Sequence, residues 1–313
     1  MSFFCLIGLL LCAAPADAGP EVIPGQFSLD RQPDGNSVIF EDAHGLIVVD
    51  TGRHKEHQAR ILDFAKTHHK PIVGIVNTHW HLDHSGGNQE LRAAYPHAKL
   101  YASRAVEGAL QGFLARSLER GKARLADPTV RAEEKAETRL GVDAISDRRD
   151  LIPDMPITGT TRIPFRGGAL ELHLAGPAAT KGDVWLYDPA SRTLVAGDLV
   201  VIPAPFFDTA CTEGWRHALD DLAKAPFARL LPGHGPTLDR AQFETWRHAY
   251  DALADCAAGS DPKQRCIDGW KRDAAALLPA AADRDAAQAL LDYYFDNVLR
   301  SPAKQAEFCA AMP

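Results

Sequence analysis

The stretch Thr78-His79-Trp80-His81-Leu82-Asp83-His84 constrains this chain more than any other. It places three imidazoles and a carboxylate within a few residues, straight after the apolar run Ile72 to Val76, which reads as a buried strand. Ser85-Gly86-Gly87-Asn88 and a helix-like segment, Gln89 to Ala94, follow. The motif therefore sits on the loop leaving the carboxyl end of a strand, where open α/β sheets place their ligands. Imidazole and carboxylate are also the donors zinc takes when it keeps one position open for water. In a helical metal motif the two histidines lie four residues apart. His79 and His81 are two apart, a spacing that suits extended backbone, whose alternate side chains share a direction. The adjacent Asp83 and His84 can be aimed at a second point nearby. The alternative is a solvated, His-rich turn, which the strand-end position disfavours.

The remaining chain can support such a site. Its 313 residues are 46% hydrophobic and 24% charged, enough for one large α/β domain or a domain with an extension. A formal charge of −7 argues against a nucleic-acid partner, which calls for a basic face. A small-molecule substrate is the expected partner; composition does not identify it.

Residues 1–18 read as a signal peptide. Phe3 to Cys12 is apolar but too short to span a bilayer, and Ala16-Asp17-Ala18 fits a small-residue cleavage site. The segment lacks the usual leading Lys or Arg, so an uncleaved anchor is the rival reading. A lipoprotein anchor at Cys12 is disfavoured by Leu11. The expectation is export, into a bacterial periplasm, without stable membrane association once the leader is removed. Cys5 and Cys12 would leave with it. Cys211, Cys256, Cys266 and Cys309 remain, an even number in an oxidising compartment. Cys256 with Cys266 is the natural local pair, which leaves Cys211 with Cys309; four free thiols are the alternative.

Along the chain, short strands are expected at Ser37 to Phe40, Leu46 to Asp50, Ile72 to Val76 and Lys99 to Ala102, with a helix around Ile61, Phe64 and Ala65. This alternation indicates a layered α/β fold. Residues 104–158 read as a helical insertion. Leu110, Phe113, Leu114 and Leu118 mark one helix, and the charge-rich Ala132 to Leu140 marks another lying in solvent. The insertion is either a lid over the metal loop or a solvated excursion. Strands resume at Thr161 to Pro164, Ala169 to Leu174, Asp183 to Tyr187, Thr193 to Ala196 and Arg229 to Leu231, with a helix at Trp215, Leu219 and Leu222. From Leu238 the pattern is helical: Phe243, Trp246, Tyr250 and Leu253 share one face, as do Leu291, Phe295 and Val298. The expected organisation is a main domain over 19–237 and a helical extension over 238–313 packed on it.

Two later sites match the first motif in chemistry. Gly197-Asp198 follows one expected strand, and His234 lies in the turn Pro232-Gly233-His234-Gly235 after another. Together with Thr78-His79-Trp80-His81-Leu82-Asp83-His84 and in that order, these segments resemble the metallo-β-lactamase-fold hydrolase superfamily, from about residue 25 to 237. The resemblance implies an αββα sandwich, two sheets covered by helices, with one or two zinc ions (or another divalent metal) at the sheet edge. By position it implies His79 and His81 for the first metal, Asp83, His84 and His234 for the second, and Asp198 as a bridge. Asp50 matches a family acidic residue that supports the ligands from behind.

One family ligand is absent. A His is expected after the Gly176-Pro177 pair, and Ala179 stands there. His173 on a neighbouring strand and Lys181 in the same loop are the candidates to replace it. Three outcomes are open: a two-metal site of lower affinity, a one-metal enzyme using Asp83, His84, His234 and Asp198, or a fold retained without catalysis. The resemblance implies a zinc-dependent hydrolase, in which hydroxide available near neutral pH attacks an ester, lactone, thioester or amide carbonyl. Asp83 and Asp198 are the expected catalytic carboxylates, Asp198 holding the hydroxide and taking its proton. Phe206 and Phe207, with Asp208, are candidates to line the pocket. A β-lactamase is a more distant alternative, because β-lactamases of the family lack aspartate at the bridging position; a non-catalytic metal- or ligand-binding protein is the other.

Overall fold

The computed structural model describes residues 19–26, 31–166 and 168–310. The expected leader, with Cys5 and Cys12, lies outside them. The order of the architecture follows from period-two alternation. Val38, Phe40, Ile47 and Val49 face one core, while Ile39, Leu46 and Val48 face another, so both faces of the same strands are covered. The first sheet runs β1 (Glu21–Ile23), β2 (Ser37–Glu41), β3 (Leu46–Val49), β4 (Ile72–Val76), β5 (Lys99–Ser103), β6 (Met155–Ile157), and is parallel from β3 onward. The second contains β7 (Thr161–Phe165), β8 (Gly168–Leu174), β9 (Val184–Asp188), β10 (Thr193–Val201), β11 (Arg229–His234) and β12 (Leu238–Asp239) in spatial order. In it only β10 and β11 pair in parallel.

Between the sheets lies an apolar layer joining Val38, Phe40 and Val76 to Leu172, Leu186 and Val195. Helices α1 (Lys55–Thr67) and α3 (Asn88–Ala94), separated by the single turn α2 (Leu82–Ser85), cover the outer face of the first sheet through Ile61, Ala65 and Leu91. Then come α4 (Ala105–Gln111), α5 (Phe113–Ala126) and α6 (Ala132–Ser146). The outer face of the second sheet is covered by α7 (Thr212–Lys224), α8 (Arg240–Ala258), α9 (Lys263–Asp273) and α10 (Ala281–Tyr294), with α11 (Pro302–Cys309) at the end. This is the αββα sandwich.

Helices α7, α8 and α9 grip the segment that carries Asp198. Strand β10 pairs with β9 only as far as Val195, so later carbonyls need other donors. Three buried indoles supply them: Trp215 donates to Leu199 O at 3.0 Å, Trp246 to Val201 O at 2.9 Å and Trp270 to Pro203 O at 3.0 Å. Disulfides join Cys256 to Cys266, between α8 and α9, and Cys211 to Cys309, tying α11 to the start of α7. No helix among the described residues is long and apolar enough to cross a membrane.

Several sequence expectations need correction. Residues 155–157, inside the expected helical insertion, form an edge strand; it is only three residues long and contains Pro156, which suits an edge and weakens any alternating signal. The helix marked by Leu110 to Leu118 is two, broken at Gly112. Helix α6 has no buried residue over 132–140, as its charge implies, but it lies only partly in solvent: it packs on α5, buries Ile145 and lines a large cavity. Asp198 lies within β10 rather than after it, because the strand continues to Val201 through a register shift at Gly197. His234 is the last residue of β11, not a turn residue, and Leu238–Asp239 form a short strand before the helices begin.

Candidate metal centre

The tips of β3, β4, β10 and β11 bring the candidate donors together. His79 and His81 lie on the loop after β4, Asp83 and His84 on α2, Asp198 within β10 and His234 at the end of β11. Apart from His81, all are buried. They fall into two groups sharing Asp198: Asp83, His84, Asp198 and His234; and His79, His81 and Asp198.

Five separations within the four-donor group fall in a narrow range. His84 Nε2 lies 3.1 Å from Asp198 Oδ1, 3.2 Å from His234 Nε2 and 3.6 Å from Asp83 Oδ2. His234 Nε2 is 3.1 Å from Asp83 Oδ2 and 3.6 Å from Asp198 Oδ1. A tetrahedron whose donors sit about 2.0–2.1 Å from a central zinc has edges of about 3.3–3.4 Å. These separations bracket that edge. In the second group His79 Nε2 lies 3.6 Å from Asp198 Oδ2. His79 Nε2 and both oxygens of Asp198 are buried without a hydrogen-bond partner among the described residues. Buried polar atoms are rarely left so, and a carboxylate and imidazole oriented on common points are what a divalent cation satisfies. The donor set fits zinc.

Backbone makes the approach close. Gly197 has φ +54°, and a Cβ there would lie 2.5 Å from Thr78 Cβ; a Cβ on Gly233 would lie 2.0 Å from Asp198 Oδ1. Asn36, which sequence reasoning missed, joins the strand tips: its amide donates to Pro232 O and Gly235 O, both at 2.9 Å.

Hydrogen bonds also set the imidazole tautomers. Asp50, at φ +59° after β3, accepts from Thr78 N at 2.8 Å and from Thr78 Oγ1 at 2.7 Å, and its Oδ2 faces His84 Nδ1 at 2.8 Å. With its proton given to Asp50, Thr78 Oγ1 accepts from His79 Nδ1 at 3.1 Å. Both rings are thereby left with Nε2 directed at the shared centre. Thr209, also missed, does the same for His81 from the other side. Its hydroxyl donates to Ala179 O at 3.2 Å and accepts from His81 Nε2 at 3.2 Å, leaving Nδ1 as the donor atom. Residue 179 therefore reaches the site through its carbonyl. Nothing in either local sequence signals this, because a Thr in a loop is ordinarily a turn residue.

Electrostatics separates the groups. Burial pushes Asp83 and Asp198 upward, but the charge of His84 outweighs it and, with His234, holds both carboxyls well below the usual range. Burial pulls His84 down, yet Asp198, Asp50 and Asp83 together raise it well above an ordinary imidazole. For His79 burial wins, reinforced by His84, and it is held neutral.

A cavity of about 900 Å³ opens over the site, lined by His81 and Asp83 at its floor and by Phe113, Leu114, Val142 and Ile145 of the helical hairpin. Helix α6 is tied down beside it: Glu137 Oε2 is 3.0 Å from His54 Nε2, and His54 Nδ1 is 2.7 Å from Asp34 Oδ2. Phe206 lines this cavity, its ring 5.0 Å from that of His234, and so does Asp208, which accepts from Tyr294 at 2.7 Å. Phe207 does not; it is fully buried against Trp215, Tyr250 and Tyr294, since successive residues of an extended segment face opposite ways. Neither candidate replacement ligand joins the donors. His173 stacks on Trp185 at 4.0 Å, and Lys181 is not in the cavity lining.

Comparison with known proteins matches this geometry to a family. The profile of the metallo-beta-lactamase superfamily matches residues 31–234. A hydroxyacylglutathione hydrolase of Gloeobacter violaceus is 54% identical over 41 residues, 13% of this chain and 16% of that enzyme. An (R)-specific secondary-alkylsulfatase of a Pseudomonas species is 32% identical over 96 residues, 30% of this chain and 14% of that protein. The chain thus spans about one sixth or less of the curated relatives it matches. Among solved structures, the stereoselective inverting sec-alkylsulfatase Pisa1 from Pseudomonas sp. aligns with TM-score 0.54 at 19% identity, over 90% of this chain and 51% of that one. The metallo-beta-lactamase FIM-1 of Pseudomonas aeruginosa, in its mono-zinc form, aligns with TM-score 0.52 at 19% identity, over 76% and 97%. At these identities the structural likeness establishes the fold.

Proposed function

This chain belongs to the metallo-beta-lactamase superfamily, and on that footing we propose that it is an exported, zinc-dependent hydrolase of ester, lactone, thioester or amide bonds. The observation that carries the proposal is the set of four buried donors, with separations of 3.1–3.6 Å about His84 and His234, under a substrate-sized cavity, with no hydrogen bond to either oxygen of Asp198 among the described residues. Asp83, His84, His234 and Asp198 would hold one ion, and His79, His81 and Asp198 a second, weaker one. Zinc in such a site lowers the pKa of water to about 7 and polarises a carbonyl.

The chain's own residues supply the rest. Asp198 is buried behind the ligands and absent from the cavity lining, so its role is to hold. Asp83 lines the cavity, so it is the carboxylate of the donor group that faces the substrate side. Trp80, Phe113 and Leu114 form an apolar wall that excludes water from the reacting group. Export is supported by the N-terminal pattern of residues 1–18 and by two cysteine pairs.

The test is a panel of chromogenic esters, thioesters, lactones, a secondary alkyl sulfate and a cephalosporin, run with added zinc and with chelator. Turnover of a carbonyl substrate that chelator removes and zinc restores is the expected result. Metal uptake with no turnover of any substrate would mean a binding protein on a hydrolase fold.

A further inference from the structure

The floor of the cavity carries a cation, Arg53, that acts on Asp83 through space but has no contact partner among the described residues. Arg53 lines it beside Asp83, and its Nε is buried without a hydrogen-bond partner. No ion pair or hydrogen bond engages its guanidinium among the described residues, whereas the other charges around the cavity are matched. Arg31 meets Glu56 and Glu137, Arg124 meets Glu134, and Asp208 meets Tyr294. A buried donor left unpaired in a folded protein is a cost, and the guanidinium that carries it belongs to a residue lining the chamber, within reach of a ligand group.

The backbone holds this arginine in place. Its N–H donates to Asp34 Oδ1 at 2.6 Å and its carbonyl accepts from Gln58 Nε2 at 3.0 Å. Its Cα lies against the end of α2, 3.4 Å from where a Cβ on Gly86 would stand. Helix α2 carries Asp83 and His84, so the guanidinium is positioned from the same scaffold as the donors. The facing wall, Phe113, Leu114, Val142 and Ile145, is apolar. An anionic group at Arg53 with a hydrocarbon body along this wall would match both surfaces, because guanidinium pairs bidentately with carboxylate and sulfo oxygens.

We propose that Arg53 is the receptor for a non-reacting anionic group of the substrate, so that the site selects amphiphilic acids: molecules carrying a carboxylate or sulfo group near the scissile bond and an apolar remainder. That the scissile bond lies at the donor cluster rests on the hydrolase reading above; the anion site itself does not.

The experiment is calorimetric titration of the full chain, as purified, with octane-1-sulfonate and with octan-1-ol, in wild type, Arg53→Met and Arg53→Lys. Wild type is expected to bind the sulfonate at least about tenfold more tightly than the alcohol. Arg53→Met should erase that preference while leaving alcohol affinity unchanged, which also shows that the chamber is intact, and Arg53→Lys should keep part of it. Equal affinity for the two probes, no binding of either, or a preference that survives in Arg53→Met would overturn the proposal. The same variants are then assayed on 4-nitrophenyl hemisuccinate and 4-nitrophenyl butyrate. Arg53→Met should raise KM for the charged ester alone, with kcat little changed. A sulfonate preference that depends on Arg53 in a protein that hydrolyses neither ester would keep the anion site and reject the hydrolase reading.

Discussion

The two donor groups that share Asp198 differ in completeness. Around His84 four side chains close on one point with separations of 3.1–3.6 Å, while around His79 there are three, and Ala179 offers only its carbonyl, to Thr209. Both groups draw ligands from both sheets, and the complete one holds its carboxylates ionised against burial. The open group has a neutral imidazole from His79 and leans on the shared aspartate for its negative charge. The Ala at 179 therefore leaves two donor groups of unequal completeness around one shared aspartate.

The comparison can be broken most directly at its shared member. Asp198→Ala should take metal content, measured by elemental analysis, toward zero and abolish chelator-sensitive turnover, since both groups lose their common carboxylate. Retained metal or normal rates would place the site elsewhere. Next in size, Ala179→His should restore a fourth donor to the open group and raise bound zinc from near one per chain toward two. An unchanged ratio would mean that residue 179 does not face that group. Thr209→Val keeps the shape but removes the hydroxyl that sets the His81 tautomer; weak-site zinc affinity should fall about tenfold, the lower end of the effect of such supporting residues, with Thr209→Ser restoring it. Competition against a chromophoric chelator reads this out, and equal loss in Thr209→Ser would contradict the tautomer argument.

The smallest effect concerns the wall over the site. Burial lowers the pKa of His54, but hydrogen bonds to Asp34 and Glu137 outweigh burial and raise it above the ordinary value, with Arg31 opposing. A raised imidazole contributes fully below its unfolded pKa of about 6.5 and loses that contribution as pH rises through the folded value. The tie from His54 to α6 should therefore weaken as pH rises above the ordinary imidazole value, by no more than about 1 kcal/mol because Glu137 is partly exposed. Amide exchange of Ala132–Ser146, corrected for intrinsic rate, should accelerate with pH in wild type and show a flatter profile in Glu137→Gln. Identical profiles would remove His54 from the account.

The family, the αββα layering and most of the donor cluster were legible in the chain because each rests on local chemistry. Apolar runs of four or five residues make buried strands. Histidines two apart at a strand end mark a metal loop, and a glycine before Asp198 or on either side of His234 marks a place where backbone must come close. What the sequence did not disclose depends on residues far apart in the chain. Asn36 meets the turn at 232–235, Thr209 joins His81 to residue 179, Glu137 reaches His54, and tryptophans of α7, α8 and α9 take up the carbonyls of Leu199, Val201 and Pro203. No spacing rule encodes such contacts, because each is a single hydrogen bond between segments that only packing brings within 3 Å or so of one another. The chain specified its donors through periodicity and residue type; which nitrogen each imidazole presents, and which arginine lines the cavity with its Nε unbonded among the described residues, were settled by the fold.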